Sequence, residues 1–197
     1  MVLAAGGGRR FKASLADAGP VAEQNDAAHK LTASFRGRPL AAWAVTAAVD
    51  AGFNHVLVVG GAVDLSDVVA EAVGERATVL PNPDWAEGQA GSLAVAVAEA
   101  ARLGCRAIVV GLADQPLVPA SAWRSVGASS GPIVTAVFDK ARRPPVKLES
   151  TVWDQLPTDG DEGARTLIRM RPELVSEVPC TGNPIDIDTL EDLQRWS

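Results

Sequence analysis

Short apolar runs alternate along the chain with longer alanine-rich stretches whose apolar positions recur three and four residues apart. That alternation is the signature of strands and helices taking turns around a largely parallel sheet. Residues 2–5 read as a short strand running directly into three glycines, and residues 39–51 as a helix. Leu40, Trp43, Ala44, Ala47 and Ala48 share one face of that helix, and Gly52 ends it. A buried strand over 55–59 closes at Gly60 and Gly61. It is followed by a helix over 65–73 and a strand over 77–80 that stops at Pro81-Asn82-Pro83. The spacing then predicts a helix over 92–103, the strongest strand of the chain over 107–112, and a further strand over 132–138 with 146–148 pairing beside it. Residues 163–170 read as helix, 174–178 as extended and 189–196 as a closing helix. The predicted fold is α/β, a Rossmann-like three-layer sandwich with a mostly parallel central sheet. Residues 13–29 break the pattern, being polar, rich in small residues and without clear periodicity, and read as a mobile insertion.

At 197 residues, with 47% hydrophobic and 21% charged, the chain is expected to form one domain spanning 1–197 around a sizeable core. This composition excludes disorder, a collagen-like fibre and a disulfide scaffold. The formal charge of −6 argues against nucleic-acid binding through a general basic surface. Within residues 1–40, however, six Lys and Arg face three Asp and Glu, so the remainder of the chain carries −9. An anionic ligand near the N-terminal segment would suit that asymmetry. Cys105 and Cys180 have neither CxxC spacing nor a histidine cluster near them, so they read as reduced, buried thiols. No membrane span and no signal peptide is legible, and the expected location is the cytoplasm.

Three features carry candidate chemistry. Gly6, Gly7 and Gly8 follow a strand and precede Arg9, Arg10 and Lys12. They match neither the dinucleotide fingerprint nor a Walker A loop. They form either a plain strand-to-loop turn or one whose bare N–H groups wrap phosphate oxygens. Asp114 sits just past the predicted central strand, at the sheet edge where ligands of open α/β folds collect. It either opens an Asx turn before Pro116 or holds magnesium, which takes one or two carboxylates together with waters and substrate phosphates. Asp186 and Asp188, two apart in an extended segment, can face one side together; alternatively Asp188 or Thr189 caps the last helix. His29, in the polar segment, reads as solvated and His55 as structural, while Trp43 and Trp85 read as core or lining. Residues 160–165 are either a loop before a helix or part of an acceptor or lid contact.

Taken in order, Leu3-Ala-Ala-Gly6-Gly-Gly-Arg-Arg10, Lys30-Leu31, Gly37-Arg-Pro-Leu40, Asn82-Pro-Asp-Trp85-Ala-Glu-Gly88-Gln-Ala-Gly-Ser92-Leu93, Ala113-Asp114-Gln-Pro116, Gly160-Asp-Glu-Gly163-Ala-Arg165 and Asp186-Ile-Asp-Thr-Leu-Glu-Asp-Leu193 resemble the MobA-like NTP transferases. The molybdenum-cofactor cytidylyltransferase branch is the nearest match. The resemblance spans nearly the whole chain and implies the nucleotide-diphospho-sugar transferase type of fold. It also implies a reaction in which an acceptor phosphate attacks the α-phosphorus of an NTP and releases pyrophosphate. On that resemblance Leu3, Ala4, Ala5, Gly6, Gly7 and Gly8 cradle the nucleotide, Arg10 meets the triphosphate, and Lys30 neutralises developing charge. Asp114 with Asp188 or Asp186 holds Mg2+, and Gly88 and Ser92 lie beside the base. Leu-Ala-Ala-Gly with a G-x-x-x-S-L segment goes with CTP in this family. The implied acceptor is a phosphorylated small molecule such as molybdopterin, with a molybdoenzyme as a possible protein partner. Phe11-Lys12 stand where the family has Met-Gly, Lys12 rivals Lys30 for the lysine role, and Arg143-Pro144-Pro145 replace Gly-His-Pro. The other readings are a non-catalytic paralogue that carries nucleotide or cofactor to a molybdoenzyme, and a related transferase with a different phosphorylated acceptor.

Overall fold

A computed structural model describes residues 1–17 and 29–197. Its centre is β1 (Val2–Ala4), which pairs in parallel with β4 (Leu57–Gly60) on one side and β6 (Ala107–Leu112) on the other. β5 (Thr78–Pro81) extends the parallel half beyond β4. Beyond β6 the sheet turns mixed: β8 (Ala141–Glu149) runs antiparallel to both β6 and β7 (Ile133–Phe138), and β9 (Val175–Pro179) pairs in parallel with β7. The order is β5-β4-β1-β6-β8-β7-β9. A two-residue ladder, β2 (Ser34–Phe35) with β3 (Arg38–Pro39), stands apart.

Side chains alternate across the central strands, and each face has its own core. Val2, Val58, Val109 and Val134 pack with residues of α1 (Arg9–Asp17), α2 (Leu40–Asp50), α3 (Ser66–Val73), α5 (Ala120–Ala128) and α7 (Leu190–Trp196). Leu3, Val59, Val110 and Ile133 point the other way, onto α4 (Gln89–Arg102) and α6 (Ala164–Met170). Helix, sheet and helix make the expected three layers. Among the described residues no helix is long and apolar enough to cross a membrane.

Several expected boundaries move. The strand expected at 55–59 begins at Leu57, leaving His55 exposed ahead of it, and α4 begins at Gln89 rather than at residue 92. Helix α5, which the sequence reading lacks, buries Ala122, Trp123 and Val126. β8 runs well beyond residues 146–148. Prolines lack the N–H a ladder needs, and here the register shifts between Thr135 and Ala136, opposite Pro144 and Pro145, so neither is asked to donate. Part of the expected insertion is helical. Residues 13–17 continue α1, whose Phe11 is fully buried, and residues 18–28 of the expected insertion lie outside the described residues.

Candidate active site

The carboxyl ends of β1 and β6 open into a cleft of about 480 Å3, at the edge where open α/β sheets place their ligands. From β1 the chain contributes Leu3, Ala4 and Ala5, then the turn of Gly6, Gly7 and Gly8 and the first residues of α1, Arg9 and Arg10. Gly8 has φ +61, a value that favours glycine. The turn is closely packed. A Cβ on Gly7 would lie 2.9 Å from the Trp85 ring, and one on Gly61 2.5 Å from Trp85 Cβ, so both glycines make room for the indole that walls the cleft. Opposite, Gly88 and Ser92 line the cleft; Ser92 is buried, its hydroxyl accepting a 2.9 Å hydrogen bond from Asn82 Nδ2.

Lys30, 7% exposed, is wedged between two carboxylates. Its Nζ donates to Asp114 Oδ2 at 2.6 Å and to Asp188 Oδ1 at 2.7 Å, while Arg10 pairs with the other oxygen of Asp188. Burial opposes the ammonium charge, but the attraction of Asp114, its hydrogen bond and those of Asp188 outweigh it and hold the Lys30 pKa above the ordinary lysine value. Lys12 is exposed and does not line the cleft. Asp188 is held in place from behind: Thr189 caps α7 through a reciprocal capping box with Asp192, whose carboxylate also accepts from the Asp188 N–H at 3.2 Å. Ile187 N–H donates to Asp114 O at 2.9 Å, lacing the two aspartate-bearing segments together.

Asp186 stands apart from this group. Its carboxylate accepts a 2.9 Å hydrogen bond from Gln115 Nε2 and does not line the cleft. Burial, then the neighbouring charge of Asp114, raises its pKa above the ordinary aspartate value. The intervening Ile187 is fully buried in the core, and of the two flanking carboxylates only Asp188 lines the cleft.

Asp114 Oδ1 is buried and has no hydrogen-bond partner among the described residues. An oxygen in that condition wants a cation or a donor. With Asp188 beside it, the donor set is two carboxylates open to a cleft, which fits a hard divalent ion that completes its shell with water and phosphate oxygens. Among the described residues there is no cluster of three or more His, Cys, Asp or Glu that would hold a metal by protein ligands alone.

Sequence reasoning missed one residue near this site. His29 is buried, at 3% exposure, and lies against the glycine turn. Nothing in its polar surroundings signalled burial. Asp161 also lines the cleft rather than capping α6, whose N-cap is Gly163. A second cavity of about 590 Å3 shares Leu3, Gln89 and Leu112 with the first. Its walls include Leu93, Val110, Val146 and Ile168, and four arginines reach it. Arg142 is paired with Glu177 and Arg169 with Glu162, whereas Arg143 and Arg165 have no carboxylate partner among the described residues.

The model of the MobA-like NTP transferase domain matches residues 1–177. A relative, the nicotine blue oxidoreductase of Paenarthrobacter nicotinovorans, is 27% identical over 208 residues, spanning 99% of this chain and 94% of that protein. A nucleotidyl transferase from Methanothermobacter thermautotrophicus has the same fold, with a TM-score of 0.76 at 21% identity over 98% of this chain and 93% of that chain. Rv0371c from Mycobacterium tuberculosis gives 0.76 at 25% identity over 98% and 94%, and its complex with manganese 0.72 at 23% over 99% and 95%.

Proposed function

The chain belongs to the MobA-like NTP transferase family, a family of nucleotidyltransferases, and on that premise we propose that it transfers CMP from CTP to a phosphorylated small-molecule acceptor with Mg2+ as the metal. The observation that carries this reading is Lys30 held between Asp114 and Asp188 beside a glycine turn, with Asp114 Oδ1 left without a partner among the described residues. The glycine turn, the free N–H groups of the first turn of α1, and Arg9 and Arg10 together favour a triphosphate. Asp114 and Asp188 would hold magnesium, which, when bound, shields triphosphate charge and polarises the phosphoryl group under attack. Arg10 and Lys30 place fixed positive charge where negative charge grows during transfer.

The second cavity suits the acceptor. Its apolar walls accept a ring system, and Arg143 and Arg165 can meet a phosphate. An oxygen of the acceptor phosphate forms a bond to the α-phosphorus; the bond from that phosphorus to the bridging oxygen breaks, and pyrophosphate leaves with the electron pair. Positioning the two substrates across Leu3, Gln89 and Leu112 supplies the proximity that such a reaction needs. Molybdopterin has the required ring and phosphate. The CTP preference rests on the Leu3-Ala4-Ala5-Gly6 and Gly88 to Leu93 segments resembling the cytidylyltransferase branch.

The likeness to nicotine blue oxidoreductase supports a second reading, a redox enzyme that uses the two adjoining cavities for a nucleotide cofactor and an apolar acceptor. The deciding assay incubates the protein with Mg2+, molybdopterin and each NTP in turn and follows pyrophosphate. Release with CTP is expected. Absence of release with every NTP, together with oxidation of a reduced nicotinamide dinucleotide in a parallel incubation with nicotine blue as the electron acceptor, would establish the redox reading instead.

A further inference from the structure

His29 has two well-placed ring nitrogens in a position where packing alone would ask only for volume. Nδ1 lies 3.2 Å from the backbone N of Leu31, and Nε2 lies 2.9 Å from the carbonyl oxygen of Gly6. A backbone N–H can only donate, so Nδ1 must present its lone pair, and the proton of the neutral ring is on Nε2, donated to Gly6. The His29 carbonyl in turn accepts from Thr32 N at 3.1 Å, Ala33 N at 3.2 Å and Thr32 Oγ1 at 2.9 Å, so the residue is anchored firmly on its own segment. Across the gap, a Cβ on Gly8 would come within 3.1 Å of Nε2; the ring occupies the space left by that glycine.

We infer that His29 is a positioning residue that fixes the phosphate turn to the segment carrying Lys30. This rests on the nucleotidyl-transfer reading of the cleft. Phosphate oxygens are bound by N–H groups and repelled by carbonyl oxygens. By engaging the Gly6 carbonyl, the imidazole holds the turn in one conformation and removes an acceptor from competition with the ligand for donors. Because Lys30 is the next residue, the same contact registers the ammonium, and with it Asp114 and Asp188, against residues 6–8. Trp85 packs on the turn at Gly7, so the indole and the imidazole hold it at successive glycines.

Two substitutions separate positioning from filling. Leucine at position 29 fills much of the space and cannot donate, whereas glutamine keeps a donor at about the reach of Nε2. In His29→Leu, hydrogen exchange of the Lys12 amide, which donates to the Gly8 carbonyl at 3.0 Å, should quicken at least tenfold in nucleotide-free protein, and the Kd for both Mg-CTP and inorganic pyrophosphate should rise about tenfold. In His29→Gln both quantities should stay within threefold of wild type. Should the leucine variant fail to fold, His29→Asn, whose shorter amide does not reach Gly6, takes its place. Unchanged exchange in the leucine or asparagine variant, or equal losses in the glutamine variant, would overturn the inference. A wild-type protein that binds no NTP would overturn the reading of the cleft, and the exchange measurement would still decide the role of His29.

Discussion

Lys30 Nζ lies 2.6 Å from Asp114 Oδ2 in the cleft that the glycine turn lines. One ammonium thus bridges two carboxylates, Arg10 pairing with the second, next to the glycine turn proposed to receive the triphosphate. Removing it should leave Asp114 and Asp188 repelling both each other and the incoming nucleotide. We expect Lys30→Met to lower the rate of pyrophosphate release by about 100-fold or more, the scale of losing one charge-stabilising donor in an active site. Lys30→Arg should not restore it, because a planar guanidinium cannot take the place of a compact ammonium between two carboxylates. Wild-type turnover in Lys30→Met would remove the lysine from the chemistry.

The two aspartates flanking Ile187 should behave differently. Asp188 lines the cleft and pairs with Lys30 and Arg10, whereas Asp186 is turned to Gln115. Asp188→Asn should weaken the Mn2+ dependence of nucleotide binding by about tenfold or more, since a charged oxygen ligand to a hard ion is lost. Asp186→Asn keeps a hydrogen-bond acceptor for Gln115 and should shift the same dependence less than threefold. Titrations following bound Mn2+ by its paramagnetic signal would measure both, and equal effects would place Asp186 among the ligands.

Gly88 packs against Gly160 and Asp161 at the wall of the cleft. It has φ +122, and a Cβ there would lie 2.5 Å from the Gly160 carbonyl oxygen, so Gly88→Ala is both strained and blocked. A cost of about 2–4 kcal/mol is expected from the strain and overpacking together. Gly52→Ala, with φ +81 but open space around it, should cost about 1 kcal/mol. Urea unfolding of the two variants compares them; equal costs would mean that the contact with Gly160 yields freely.

Burial, offset in part by the hydrogen bond to Gly6, lowers the His29 pKa from its ordinary 6.5. The unfolded chain therefore takes up a proton at this position before the folded protein does. The stability contributed by the neutral ring is complete above about pH 6.5 and is lost as pH falls through the lower folded value. Urea midpoints measured between pH 8 and 5 should be flat at first and then decline, and His29→Gln should reduce the decline. An identical acid-side slope in the variant would show that His29 does not titrate differently in the two states.

The parts of this molecule that sequence periodicity reached are those governed by short-range patterns. β6 follows the apolar run 107–112 residue for residue, because a central strand buried on both faces over residues 108–111 needs an apolar segment. Helix α5 is not legible in the sequence because Pro119, Ser121, Ser125 and Gly127 interrupt its apolar pattern, and its stability comes from Trp123 packing over Gly111. Asp114 and the glycine turn were legible because both follow strands whose ends define the ligand edge. Asp186 was not separable from Asp188, since that distinction depends on Gln115, some seventy residues away. His29 was opaque for the same reason: its partners are the Gly6 carbonyl and the space above Gly8, and no local pattern around it encodes either.

CTP, GTP, ATP and UTP titrated into the protein with Mg2+, for wild type and for Asp114→Ala, probe the cleft at the carboxylate whose Oδ1 lacks a partner among the described residues. The expected result is tight, magnesium-dependent binding of CTP in preference to the other three, abolished by the substitution. Binding of no nucleotide by the wild type, or binding indifferent to both magnesium and Asp114, would contradict the nucleotidyl-transfer reading.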